Sequence, residues 1–156
     1  MNRRNKKNRG FSLLISVVIT GAVIVISTGI VSLASQFIRI STAGRDSQIA
    51  FYAADSGIEC ALFWDIKSPI GRSAFSTDVQ NSIYCNKDES NTSNQWTVGG
   101  SRISTINKIT FLPDPFCAIV TVTKNENGTT LIESRGYNTC DLANPRRVER
   151  ALRASY

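Results

Sequence analysis

Four cysteines, Cys60, Cys85, Cys117 and Cys140, are the side chains best suited to covalent chemistry in this 156-residue chain, which has no histidine. Their spacing excludes most of what cysteine can do. None belongs to a C-x-x-C pair, so a zinc site would need four widely scattered thiolates. No metal and no cofactor is expected. Without histidine neither a Ser–His nor a Cys–His couple can be built. The acidic residues are spread singly rather than set as a carboxylate pair. Phosphate-cradling G-x-x-x-x-G-K-[ST] and G-x-G-x-x-G loops are absent. No catalytic residue is expected, and the chain does not read as an enzyme. Disulfide formation is the use that remains. Three pairings are open, with four free thiols as the alternative. Cys60–Cys85 with Cys117–Cys140 is favoured because each closes a short segment, worth about 3–4 kcal/mol per bridge in the chain-entropy model.

The second chemical feature is a junction. MNRRNKKNRG ends in Gly10, and an uncharged run from Phe11 to Ile38 follows at once. That run exceeds the roughly 20 residues that cross a bilayer as a helix. No A-x-A pattern follows it, unlike an ordinary secretory signal. The natural cut lies between Gly10 and Phe11, which leaves the apolar segment on the mature protein. Arg3, Arg4, Lys6, Lys7 and Arg9 all lie before the cut, so the mature chain keeps 18 − 5 = 13 basic residues against 12 acidic ones. The formal charge of +6 is therefore no argument for nucleic acid. The leader charges instead place the N-terminus in the cytoplasm and the rest of the chain outside, where disulfides persist.

RGFSLLI followed by a long apolar helix resembles the class III signal of type IV pilin-like proteins, and AFYAADSGIE, Ala50 to Glu59, is similar to a stretch of PilX-type minor pilins. The resemblance covers about the first 65 residues. It implies that a prepilin peptidase cuts after Gly10 and methylates the new N-terminal Phe11. It implies a single-pass protein of the cytoplasmic membrane that later joins an extracellular pilus, with other pilin subunits as partners through helix packing. It also implies a long N-terminal helix laid on an antiparallel sheet. Two departures matter. Most pilins carry glutamate at the fifth mature position, where this chain has Ile15, and many major pilins have proline where it has Ser32. A low-copy, minor role follows from the first. A pseudopilin of a secretion or DNA-uptake system, and a monomeric membrane-anchored surface binding domain, are the other readings.

These features need elements to hold them. The expected architecture is α+β: a leader over residues 1–10, a helix over 11–65, and a disulfide-stapled β domain over 66–156. Ile40, Ala43, Ala50, Ala54, Ile58, Ala61 and Leu62 recur at three- and four-residue steps, a narrow stripe able to pack on a sheet. At about 1.5 Å per residue the helix would run roughly 80 Å, more than a core of this size needs. Pro69 and Gly71 mark its end. Ser68 to Gly100 is polar and irregular, and Lys87 to Gln95 has the composition of a solvated contact loop. Strands are expected at Ser101–Ile106, Lys108–Leu112, Ala118–Lys124, Thr129–Arg135 and Arg147–Ala154, with Asn125 to Gly128 as a hairpin turn.

Three further motifs are weighed here. Asn91-Thr92-Ser93 and Asn127-Gly128-Thr129 fit the glycosylation sequon but are ordinary turn compositions. Arg146, Arg147, Arg150 and Arg153 form a basic strip that Glu149 interrupts, as edge strands commonly do. Phe51, Tyr52, Phe63 and Trp64 read as helix-to-sheet packing rather than a base-stacking platform.

Overall fold

A stretch without proline and rich in Leu, Ile, Val and Ala has nothing to interrupt a helix, and the computed structural model shows one helix, α1, over Arg9–Ile66. The structure describes residues 9–86, 94–111 and 116–156. The helix stops where its backbone can no longer continue. Lys67 N donates to Phe63 O at 2.9 Å, Pro69 brings no donor, and Gly71 takes a left-handed φ of 74°.

Six strands follow: β1 (Gln80–Tyr84), β2 (Gln95–Gly99), β3 (Ile103–Phe111), β4 (Phe116–Lys124), β5 (Thr130–Tyr137) and β6 (Glu149–Ser155). β3 to β6 form a four-stranded antiparallel sheet in sequence order, and β1 pairs with β2 in a small separate sheet. The fold is therefore α+β, as the sequence suggests. Asn125 to Gly128 turns β4 into β5, with Asn125 N donating to Thr129 O at 2.9 Å. Three strand expectations change. Gln80–Tyr84 and Gln95–Gly99 are strands within a segment that reads as irregular, because polar residues occupy their exposed positions and only Ile83 and Val98 are fully inward. The segments either side of Asn107 are one strand, not two. A bulge between Ile106 and Ile109 slips the register, Lys108 takes φ 56°, and Trp96 Nε1 donates to Asn107 O at 2.7 Å.

The chain divides into two compact units, residues 1–43 and 44–156, and α1 contributes to both. In the second unit Ala50, Ala53, Ala54, Gly57, Ile58, Ala61 and Trp64 are buried, as are the sheet residues Ala118, Val120, Val122, Ile132, Ser134 and Gly136. The packing stripe thus begins at Ala50. Ile40 and Ala43, expected in it, are exposed. The contact is a close one. A Cβ on Gly57 would lie 2.5 Å from Ser134 Oγ and 2.9 Å from Val120 Cγ2, and one on Gly136 would run into the backbone of Ala50 and Ala54. Glycine at these two positions is what lets helix and sheet touch.

Gly136→Ala should therefore lower the unfolding free energy of the full chain in detergent by at least about 1–3 kcal/mol, the usual cost of overpacking. Gly44→Ala, inside α1 where a Cβ meets nothing within 4 Å, should not lower it and should raise it by up to about 1 kcal/mol. Thermal unfolding followed by circular dichroism compares the two.

Candidate functional site

The first unit is a helix of large apolar side chains facing outward. Phe11, Leu13, Leu14, Val17, Val18, Val25, Leu33 and Phe37 are all exposed, Phe37 to 75%. Leaving such side chains in water forfeits roughly 1.5–3 kcal/mol each, so this surface requires an apolar medium or other helices. Its most hydrophobic 18-residue window has a mean hydropathy of 2.5 and none of it is buried within the chain. One helix is thus long and apolar enough to cross a membrane, and the stretch suited to it is the uncharged Phe11–Ile38. Five of the seven hydroxyls in that stretch are satisfied internally. Ser16 donates to Leu13 O, Thr20 to Ser16 O, Ser27 to Val23 O, Thr28 to Val25 O and Ser35 to Ser32 O, at 2.6–2.9 Å. Polar atoms that bond within their own helix escape the several kcal/mol that an unpaired group costs in hydrocarbon. Gly10 and Phe11 lie in the first turns of α1. Ile15, where an acid is absent, is itself part of the exposed apolar surface. Residues 1–8 of the leader lie outside the described residues.

The second unit holds the cysteines. Cys60 on α1 and Cys85 after β1 form a disulfide with Cα atoms 5.9 Å apart, within the usual range. Beside it Trp64 is buried, donates from Nε1 to Tyr84 O at 2.8 Å and packs edge-on to the Tyr84 ring at 5.2 Å. The expected second bridge is not formed: Cys117 and Cys140 are thiols. They are nonetheless neighbours. Cys117 is buried at the start of β4, and burial, with a hydrogen bond shared with Cys140, pushes its thiol up to about 12.

The group that ties α1 to the sheet is one that sequence reasoning treats only as a helix terminus. Asp65 has a side chain 3% exposed. Lys124 Nζ, at the end of β4, donates to both its oxygens at 2.7 Å and to Thr130 Oγ1 at 2.8 Å. The Ser73 hydroxyl and the Tyr156 phenol donate to it as well. Tyr156 is in turn held by backbone bonds to Thr130 at 2.8 and 3.1 Å. One carboxylate therefore joins the helix end, the following loop, β4 and the C-terminal residue. Burial alone would raise its pKa, but the hydrogen bonds from Lys124, Ser73 and Tyr156, with the Lys124 charge, hold it below the usual 3.8. Burial and the bond to Asp65 push the Tyr156 phenol upward. No spacing motif marks this cluster, because its members are 8, 59 and 91 residues from Asp65.

The remaining motifs separate. Arg147 lies over the Tyr137 ring at 3.7 Å, Arg150 Nε donates to Ser47 Oγ at 2.8 Å, and Arg153 pairs with Glu133 at 2.9 Å. Three of the four arginines of the strip are thus individual tethers. Of the four aromatics expected to pack on the sheet, only Trp64 is buried; Phe51, Tyr52 and Phe63 are exposed. The sheet approaches α1 too closely at Gly57 and Ala54 for large rings to share that side. Asn91 and most of Lys87–Gln95 lie outside the described residues, while Asn127 caps its own turn by accepting from Thr129 N at 3.1 Å. Among the described residues no group of three or more Cys, Asp or Glu could hold a metal.

Asp65→Asn leaves Lys124 without its counter-charge and should cost about 3–5 kcal/mol. The pH dependence has a definite sign. A carboxyl whose folded pKa is lowered contributes stability above pH 3.8 and loses it as pH falls through the folded value; a phenol whose folded pKa is raised contributes below pH 10.0 and loses it as pH climbs past. The wild-type-minus-variant difference for Asp65→Asn should therefore shrink at both ends of the pH range, and so should that for Tyr156→Phe, because the phenol's bond helps lower the Asp65 pKa, read from urea unfolding across pH. Separately, alkylation of the denatured, unreduced protein should tag Cys117 and Cys140 but neither Cys60 nor Cys85 by peptide mass.

Comparison with protein-family models, curated proteins and solved structures finds no match to this chain, so the functional reading rests on its own residues.

Proposed function

We propose that this chain is a non-enzymatic minor subunit of a type IV pilus-like fibre, cut after Gly10 and assembled through its N-terminal helix. The observation that carries the reading is the wholly exposed apolar surface of Phe11–Ile38, set directly behind a basic leader. A cut at Gly10 removes the charges and keeps the apolar helix. Before assembly the helix rests in the cytoplasmic membrane with the leader inside. Afterwards it packs among the helices of other subunits, where dispersion contacts and small residues such as Gly21, Ser27 and Gly29 replace lipid. The folded unit, stapled by Cys60–Cys85 and anchored at Asp65, remains outside and makes lateral or adhesive contacts. Ile15 offers no carboxylate to a neighbour's N-terminal amine, which suits a subunit present in few copies. Methylation of Phe11 belongs to the same processing step.

The test is the N-terminus of the protein recovered from sheared fibres. Edman or mass analysis should find methylated Phe11 there, and Gly10→Val should leave the full leader on a chain confined to the membrane fraction. A fibre-borne chain starting at Met1 or Asn2 defeats the proposal.

A further inference from the structure

The solvent side of α1 in the folded unit combines two features that are costly together. Tyr52 and Ile66 are each 63% exposed, and Phe51 and Phe63 are exposed beside them. Between these rings stand Asp55 and Glu59, both exposed. The steps Tyr52, Asp55, Glu59, Phe63 and Ile66 are three and four residues, so all five share one face. A shallow apolar groove lined by Glu59, Leu62, Phe63, Ile66 and Lys67 closes the lower end of that face.

Apart from Asp46, which likewise has no partner, the other described carboxylates are engaged. Glu126 pairs with Arg102, Glu133 with Arg135 and Arg153, Glu149 with Tyr137, and Asp65 with Lys124, while Asp78 and Asp141 accept local hydrogen bonds. Among the described residues Asp55 and Glu59 have neither an ion pair nor a hydrogen bond of their side chains. Like charges at i and i+4 repel, which is destabilising by roughly 0.2–0.5 kcal/mol in a free helix. A cation placed between them reverses the sign, and a guanidinium can stack on the adjoining Tyr or Phe ring at the same time. An anionic lipid surface is the wrong counterpart, because it repels both carboxylates.

We infer that this face, from Phe51 to Ile66, docks a neighbouring fibre subunit that presents arginine or lysine to Asp55 and Glu59 and apolar side chains to Tyr52, Phe63 and Ile66. The inference rests on the fibre reading above and adds the chemistry of the partner. Apolar contact supplies the attraction, and the two carboxylates set partner choice and register.

The experiment places a photo-crosslinking phenylalanine at Tyr52, and separately at Phe63, in the full-length chain expressed in its own cells, and identifies the joined peptides by mass. The expected product joins a fibre subunit at a segment containing Arg or Lys. Asp55→Lys combined with Glu59→Lys should reduce that product at least roughly tenfold, with the Cys60–Cys85 bridge and the amount in the membrane unchanged. Asp55→Asn with Glu59→Gln, which keeps size and removes charge, should fall in between. Fibre incorporation with cross-links indifferent to the charge reversal overturns this inference and leaves the fibre reading standing, as do cross-links to lipid. A wild-type chain that never reaches fibres overturns both.

Discussion

Asp65 is the point on which the folded unit turns. A carboxylate this deeply placed is unfavourable unless its lone pairs are filled, and four donor contacts from three side chains fill them. Each donor belongs to a different part of the chain. The network therefore specifies geometry as well as stability: Lys124 fixes the end of β4, Ser73 the loop that follows the helix, and Tyr156 the last residue of the chain. An apolar contact could hold these pieces together but would tolerate sliding among them. The charged bond at 2.7 Å does not. The Cys60–Cys85 bridge acts one turn earlier on the same helix and ties it to the end of β1. Helix end and both sheets are thereby joined within a few residues.

The close approach of helix and sheet depends on this anchoring. Ala50, Ala54, Gly57 and Gly136 offer little side-chain surface, so the gain from burying each is modest. Their value is distance. With no bulk between them, α1 lies directly on β4 and β5, and the larger Ile58 and Trp64 reach the core formed with Ile106, Val120, Val122 and Ile132. The same closeness leaves Phe51, Tyr52 and Phe63 on the outer side of the helix. Exposed rings there are a consequence of the small-residue contact on the other side, and they give the folded unit an exposed apolar surface.

What the sequence discloses follows from how local each signal is. The helix over Phe11 to Asp65, its stop near Pro69, the β4–β5 turn at Asn125 to Gly128 and the α+β class are written in neighbouring residues and can be read from them. Cys60–Cys85 is legible because a short loop favours it. The Asp65 network is not, since its partners are distant in sequence and none is an unusual residue type. β1 and β2 escape notice because each buries a single apolar side chain fully, too few to show a period of two. Lys108 hides the unity of β3, because a bulge shifts the alternation in mid-strand. Cys117 and Cys140 show a further limit: spacing can bring two cysteines together, but whether they are bonded depends on the burial of Cys117, which spacing does not carry.

The apolar helix and the folded unit also place opposite demands on water. Phe11 to Ile38 loses free energy wherever it is hydrated, and most of its hydroxyls are bonded to its own backbone. The folded unit carries paired charges, polar loops and exposed carboxylates, which do not suit hydrocarbon. A chain of this kind is stable only at a boundary, either of a membrane or of a bundle of like helices. Exchange between those two boundaries costs little, because lipid tails and neighbouring Leu, Ile and Val side chains are nearly equivalent media. The balance between them is then decided by small terms.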